Sequence, residues 1–431
     1  MQKEKQRFSG YTQVVLAAVI TFTCGMSYGA YGMLIVPLSE RLGCSITAAG
    51  VPATVETIAA FVAGILGAGA LIEKWSARRC ILLGAVIASL FVTSYAFMPS
   101  LFLLSVWETI TGASMAFGYS TGMSAFIKEW FVERRETVLG AAIACIGFGA
   151  AAGTWLFGKI DTTYGLNATC IVFGALGVLS ILIYILGLRN PDQLGQKPLG
   201  WEKATALAAE EGSGATTDFG VDFHEALRSP SLYLICGSCL LWALSMVLSP
   251  YLATILMTNG VEEMTAANYA TINNIAMAVM SLVVGALTSK LGPKSYVIAT
   301  FGAGILGLAV LGIWLEMANT TVILLLTSIL MGCGYVVGTT YGPMVTTKVF
   351  GNKCFDRIIP IVFGMRCIGL GVGVMILPTL ATNCGSWTLS IVLAIIMMAA
   401  AIIMGLLAIR LAPMNRLHHG DDTNAAHKAE Q

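Results

Sequence analysis

The chain has 431 residues, 57% of them hydrophobic and only 11% charged, with a formal net charge of +1. Soluble domains average about 25% charged residues, so this composition excludes a soluble globular protein and leaves lipid as the main solvent. The charge balance names no partner, and no nucleic-acid partner is expected.

In chain order, twelve apolar segments cover residues 12–36, 48–72, 80–98, 101–127, 138–158, 166–188, 231–257, 266–288, 295–315, 320–345, 358–381 and 386–409. They are numbered 1 to 12 below. Crossing a bilayer takes about 20 apolar residues, and only helices or closed barrels satisfy their backbone in lipid. The Gly, Ala, Leu and Met content predicts helices, hence an all-α polytopic membrane protein. Segment 1 is too long for a signal-peptide core, and no small-residue cleavage site follows it. With the N-terminus inside, 21 of the 24 Lys and Arg residues fall on the inner side. Arg41 and Lys159 fall outside, and Arg366 lies within segment 11. That asymmetry predicts a multi-pass protein of the cell membrane with both termini cytoplasmic. Trp75 and Trp130 near inner ends, and Trp155, Trp314 and Trp387 near outer ends, read as interface anchors.

Three ionisable residues lie deep in the segments: Glu56 on segment 2, Glu108 on segment 4 and Arg366 on segment 11. Each sits seven or eight residues from its segment start, about 10–12 Å deep at 1.5 Å per residue. All three therefore approach the midplane of a core about 30 Å thick. A charge there costs about 2.5–3.5 kcal/mol on insertion scales and usually marks a substrate or ion pathway. The competing reading is a structural ion pair that locks helices together.

Polar aromatics and amides accompany these charges. Tyr28 and Tyr31 share a face of segment 1. On segment 4, Glu108, Gly112, Met115, Tyr119 and Gly122 share a face by i, i+3/i+4 spacing. Trp242 lies near mid-depth on segment 7, and Asn273 and Asn274 on segment 8. With Tyr335 on segment 10, these are the candidate substrate-binding residues. For any single aromatic, packing competes equally with ligand contact.

Other patterns carry less chemistry. Cys236-Gly-Ser-Cys239 has CxxC spacing but lies inside segment 7 with no His or acid nearby, so small-residue packing is favoured over a metal or redox site. "GFGAAAG" (147–153) follows no strand, which disfavours a nucleotide loop. No metal, cofactor or catalytic constellation is expected.

Residues 189–230 form the longest polar stretch and read as a flexible cytoplasmic linker. Within it "FHEALRSP" (223–230) suits a short amphipathic turn, where His224 is solvated. The linker divides an N-terminal half (1–188) from a C-terminal half (231–410), with a cytoplasmic tail over 411–431. The halves repeat. "GALIEKWSARR" (69–79) matches "GALTSKLGPKS" (285–295), and "CIGFG" (145–149) matches "CIGLG" (367–371). "GASMAFGYSTGMSAFIKEWF" (112–131) matches "GCGYVVGTTYGPMVTTKVFG" (332–351), placing Ser328, Gly332, Tyr335, Thr339 and Gly342 on the matching face of segment 10. Two six-helix halves in parallel repeat, with a site near the midplane, is a transporter architecture.

These motifs carry a resemblance. The chain resembles the major facilitator superfamily over nearly its whole length. "GALIEKWSARR" is similar to that family's G-x-L-x-D-R-x-G-R-R loop, with Glu73 for Asp and Ser76 for Gly. The resemblance makes Gly69, Glu73, Lys74, Arg78 and Arg79 a gating motif in which an acid and basic groups clamp two helix ends. Ser289 stands where the second copy would carry the acid, which implies an asymmetric inner gate. The resemblance also implies that segments 3, 6, 9 and 12 are peripheral. "GMSYGAYGMLIVPLSERLGCS" (25–45), "KEWFVERRETVLGAAIACIGFGAAAG" (128–153) and "EALRSPSLYL" (225–234) resemble the oxalate/formate antiporter and monocarboxylate porter branch. Members of that branch carry a basic residue on helix 11, where Arg366 stands.

The leading expectation is a secondary transporter of a small organic anion, a monocarboxylate, by alternating access with proton symport or anion exchange. Arg366 would anchor the carboxylate with its planar fork, and Glu56 or Glu108 would couple protons. Segment 8 offers amides and no Lys or Arg, which points to a monoanion. The alternatives are a multidrug or amphiphile exporter of the same fold and a transporter-like sensor; an enzyme is the least expected. The partners are the anion, protons and the bilayer, and a monomer is expected to suffice.

Overall fold

The computed structural model describes residues 8–66, 74–114, 122–131, 135–200, 220–317, 321–351 and 353–414. Helices account for the predicted segments, as a lipid-facing backbone requires. Segment 1 is Gly10–Leu42, ended by Gly43 in the left-handed region. Segment 2 opens at Ser45, whose hydroxyl caps Ile46–Ala49, and continues as Val51–Leu66. Segment 3 is Ala77–Phe97, and segment 4 runs through Leu101–Ser114 and Gly122–Trp130. Segments 5 and 6 form Arg135–Gly187, turned sharply at Gly165.

In the C-terminal half, segment 7 comprises Pro230–Met246 and Leu252–Thr258. Pro230 opens the first piece, a position where its missing N–H is harmless. The turn between the pieces contains Pro250. Segments 8 and 9 form Glu263–Met317, turned at Gly292. Segment 10 is Thr321–Tyr335 and Val337–Phe350, segment 11 Phe355–Cys384 and segment 12 Thr388–Arg410.

Contacts divide the chain into two compact units, one of Met1–Gly214 with Pro250–Leu282 and one of Ala215–Ser249 with Val283–Gln431. In the first, segments 1 and 5 cross backbone to backbone. A methyl built on Gly29 would lie 2.1 Å from the Ala150 carbonyl, and one on Gly153 would lie 2.0 Å from that of Met26. The glycines of "GFGAAAG" therefore serve helix packing, not a phosphate loop. The end of segment 7 and the start of segment 8 join this unit through Thr254 Oγ1, which donates to Gly32 O at 2.9 Å, and Asn274 Nδ2, which donates to Thr154 Oγ1 at 3.1 Å.

Both ends of the 189–230 stretch are structured. Pro191–Leu194 is a 3-10 turn, and Leu199 N donates to Trp130 O at 2.9 Å. Leu194 and Leu199 pack against a core that includes Trp130 and Phe131. At the other end Val221 N donates to Phe350 O at 2.9 Å, and Phe223–Arg228 forms the expected helical turn with His224 exposed. The Arg357 guanidinium lies over the Phe223 ring.

The tryptophans require a correction. Trp75 and Trp155 are exposed, as anchors would be, but Trp130, Trp314 and Trp387 are buried within the protein. Trp130 donates its indole N–H to Arg189 O at 3.1 Å. Sequence gives the depth of a tryptophan along its helix but not the side it faces.

Candidate functional site

Two groups of the predicted residues come together, one in each unit. In the second unit Arg366 is half-buried on segment 11. Its approach depends on segment 10, where a methyl on Gly338 would sit 2.4 Å from Trp242 Cη2 and 2.9 Å from Arg366 Nε. Absence of that methyl lets the guanidinium lie beside the indole. Segment 10 is interrupted at Val336, and a helix end leaves carbonyls without intrahelical partners. One of them, Gly334 O, accepts the Trp242 indole N–H at 3.2 Å. This bond fixes a fully buried ring at its edge. The Tyr335 ring leans on it, tilted by 46° with centroids 5.7 Å apart. The Tyr335 hydroxyl is buried and closes no hydrogen bond among the described residues. Cys239, one turn before Trp242, is buried within electrostatic reach of Arg366. The result is a cation with a forked donor set, held beside an indole.

In the first unit the two acids meet. Segments 2 and 4 touch at Gly112, where a methyl would lie 2.0 Å from the Glu56 carbonyl oxygen. Glu108, one turn earlier, is 0% exposed and Glu56 is 8% exposed. Their carboxyls are within electrostatic reach of each other. Three phenols surround them. Tyr95 of segment 3 directs its hydroxyl at Glu108, and Tyr31 of segment 1 faces Tyr251 of segment 7 beside both acids. Among the described residues neither Glu108 oxygen closes a hydrogen bond of good geometry. Tyr95 and Tyr251 were not singled out by the sequence, because nothing in their local pattern marks a face shared with an acid on another helix.

The remaining candidates are dispersed. Tyr28 is 36% exposed, Asn273 is buried, and Asn274 is engaged on Thr154. Tyr119, Gly69 and Glu73 lie outside the described residues, as does the side chain of Thr339. Of the gating motif, Lys74 and Arg79 are exposed. Arg78 stacks on the Tyr184 ring at 5.2 Å, and the Tyr184 hydroxyl donates to Arg78 O at 2.7 Å, which pins the start of segment 3 to segment 6. Ser76 has φ 79° and ψ 147°, close to the φ 75° and ψ 169° of its repeat partner Gly292. The family's glycine at this position is thus explained by backbone, and the serine here bears the strain. The sequence also missed a cavity of about 880 Å³ lined by Glu40, Arg41, Asp161 and Glu263 among others. In it the Asp161 and Glu263 carboxyls touch, and Arg41 donates to the Tyr95 and Ala96 carbonyls.

The sequence profile of the Major Facilitator Superfamily matches residues 17–353 of the chain. The chain belongs to the Major Facilitator Superfamily. Solved structures similar to it include a mutant form of the nucleoside transporter NupG, at TM-score 0.67 and 14% identity over 93% of this chain and 99% of that one. Tetrameric PepTSo2 is similar at TM-score 0.66 and 14% identity, over 95% of this chain and 99% of that one. Among curated protein sequences no match is found. At such identity the likeness establishes the fold, a twelve-helix polytopic membrane protein of a family of small-molecule transporters. Arg366 lies beyond the matched residues, so its role rests on its own surroundings.

Proposed function

We propose that the protein is a secondary transporter of a small organic anion, preferentially a monocarboxylate, with Arg366 as the carboxylate anchor. The observation that carries this reading is a guanidinium beside Trp242, whose ring Tyr335 backs, well inside a membrane helix. Arg presents a planar fork matched to a carboxylate and remains charged when desolvated. An aromatic wall beside it suits a short apolar substituent, and the free Tyr335 hydroxyl offers a third donor. A second cation, which a dicarboxylate would call for, is not supplied by segment 8, where Asn274 is spent on Thr154.

Counterflow in proteoliposomes against formate, acetate, lactate, pyruvate, oxalate and a set of amphiphilic drugs tests the reading. Exchange of at least one monocarboxylate is expected. Exchange of drugs with no carboxylate would return the exporter reading, and binding without counterflow would return the sensor. Oxalate exchange with no monocarboxylate transport would refute the preference for a monoanion. Both termini are read as cytoplasmic from the Lys and Arg asymmetry. Labelling of a cysteine placed at Gln431 from the outer face of intact cells would overturn that topology.

A further inference from the structure

Glu56 and Glu108 occupy neighbouring helices whose backbones touch at Gly112, so the acids cannot separate without parting segments 2 and 4. The titratable groups facing them are Tyr31 from segment 1, Tyr95 from segment 3 and Tyr251 from segment 7. All three are neutral phenols. Arg41 contacts Tyr95 and Ala96 only at their backbone carbonyls. Among the described residues neither acid forms an ion pair.

Two adjacent carboxylates in a low-dielectric interior repel strongly, and one proton held between them removes that repulsion. The protonated acid then donates to its partner, and the phenols donate to the charge that remains. Hard metal cations would instead gather carbonyl and water oxygens in number, and phenols are a poor substitute.

We propose that Glu56 and Glu108 form a single proton-binding site, one proton shared by two carboxyls, carried by segments 2 and 4 without Arg366. This deepens the transport reading by assigning the coupling ion to the first unit and the anion to the second. Its function as coupling site rests on that reading, whereas its occupancy does not.

Infrared spectroscopy on substrate-free purified protein measures occupancy directly. A Glu263→Gln background silences the second carboxyl contact, Asp161–Glu263. At neutral pH one protonated-carboxyl stretch sensitive to deuteration is expected. Sharing predicts its loss in Glu56→Gln and equally in Glu108→Gln, because each glutamine replaces the protonated member and leaves a plain carboxylate. Absence of the band before those substitutions would overturn the proposal. Its survival in either variant would too, since the proton would then belong to one acid alone. Loss of the band when sodium replaces choline would convert the site into a sodium site and overturn it. Should a glutamine variant fail to fold, Glu56→Asp and Glu108→Asp serve instead: a shared proton shifts the band in both, an unshared one in a single variant. Monocarboxylate counterflow can fail while the band behaves as expected, so the two readings fall separately.

Discussion

The two halves of the repeat carry different chemistry at equivalent places in the sequence. Glu108 of segment 4 corresponds to Ser328 of segment 10, which is fully buried and bonded to its own helix at Leu324 O. Arg366 of segment 11 corresponds to Ala144 of segment 5, again buried. Glu56 of segment 2 corresponds to Ile272 of segment 8. The matching positions are therefore a hydroxyl, a methyl and a branched alkyl chain where the charges have no counterpart. The repeat kept the glycine-rich motifs and not this side-chain chemistry. On the proposed function, the anion site lies in one half and the paired acids in the other, so each can be disabled alone.

The largest effect is expected from Arg366→Gln, which removes the cation of the second unit. Loss of a charged forked contact amounts to roughly 3 kcal/mol, or more than a hundredfold in monocarboxylate affinity by thermal-shift titration. Arg366→Lys keeps the charge and loses the fork, so partial binding should survive. Wild-type affinity in the glutamine variant would reduce Arg366 to a structural charge. Next is Gly112→Ala in the first unit. Its methyl meets a backbone carbonyl that cannot step aside, and overpacking of this kind costs about 1–3 kcal/mol. A lowered thermal midpoint is expected. An unchanged midpoint would mean that segments 2 and 4 do not touch there.

A smaller effect is expected from Gly338→Ala, which presses on the Trp242 ring and on Arg366 Nε. The ring and the guanidinium can each give a little, so about tenfold weaker binding is expected, from about 1.4 kcal/mol. Gly302→Ala, where a methyl meets nothing within 4 Å, is the control. The smallest is a reciprocal pair. Ser76→Gly should stabilise by about 1 kcal/mol and Gly292→Ser destabilise by about as much, because both backbones occupy a region that suits glycine alone. Opposite shifts of the thermal midpoint check this, and shifts of the same sign would contradict it.

Much of the fold was legible because lipid imposes a length and a polarity on every crossing. The segment limits moved by a few residues, and the sharp turns at Gly165 and Gly292 replaced loops expected to be longer. The site was legible in parts. Arg366, Glu56 and Glu108 stood out because charge is expensive in that setting. That the two acids meet each other depends on a helix crossing, and the one local sign was Gly112 on the Glu108 face. Tyr95 and Tyr251 left no sign, since an aromatic in a membrane helix is ordinary. The burial of Trp130 followed from Leu194 and Leu199 folding back from the linker, a contact between residues more than sixty positions apart.

The linker itself has a practical consequence. Leu199 N clasps Trp130 O, and Val221 N clasps Phe350 O, a repeat partner of Trp130. Both clasps are made by peptide groups, so they place little demand on the identity of the residues involved. The 22 steps of chain from Leu199 to Val221 can reach up to about 70 Å. A fluorescent protein inserted between them would hang from two fastened collars, with its pull taken up by the collars before it reached either helix bundle.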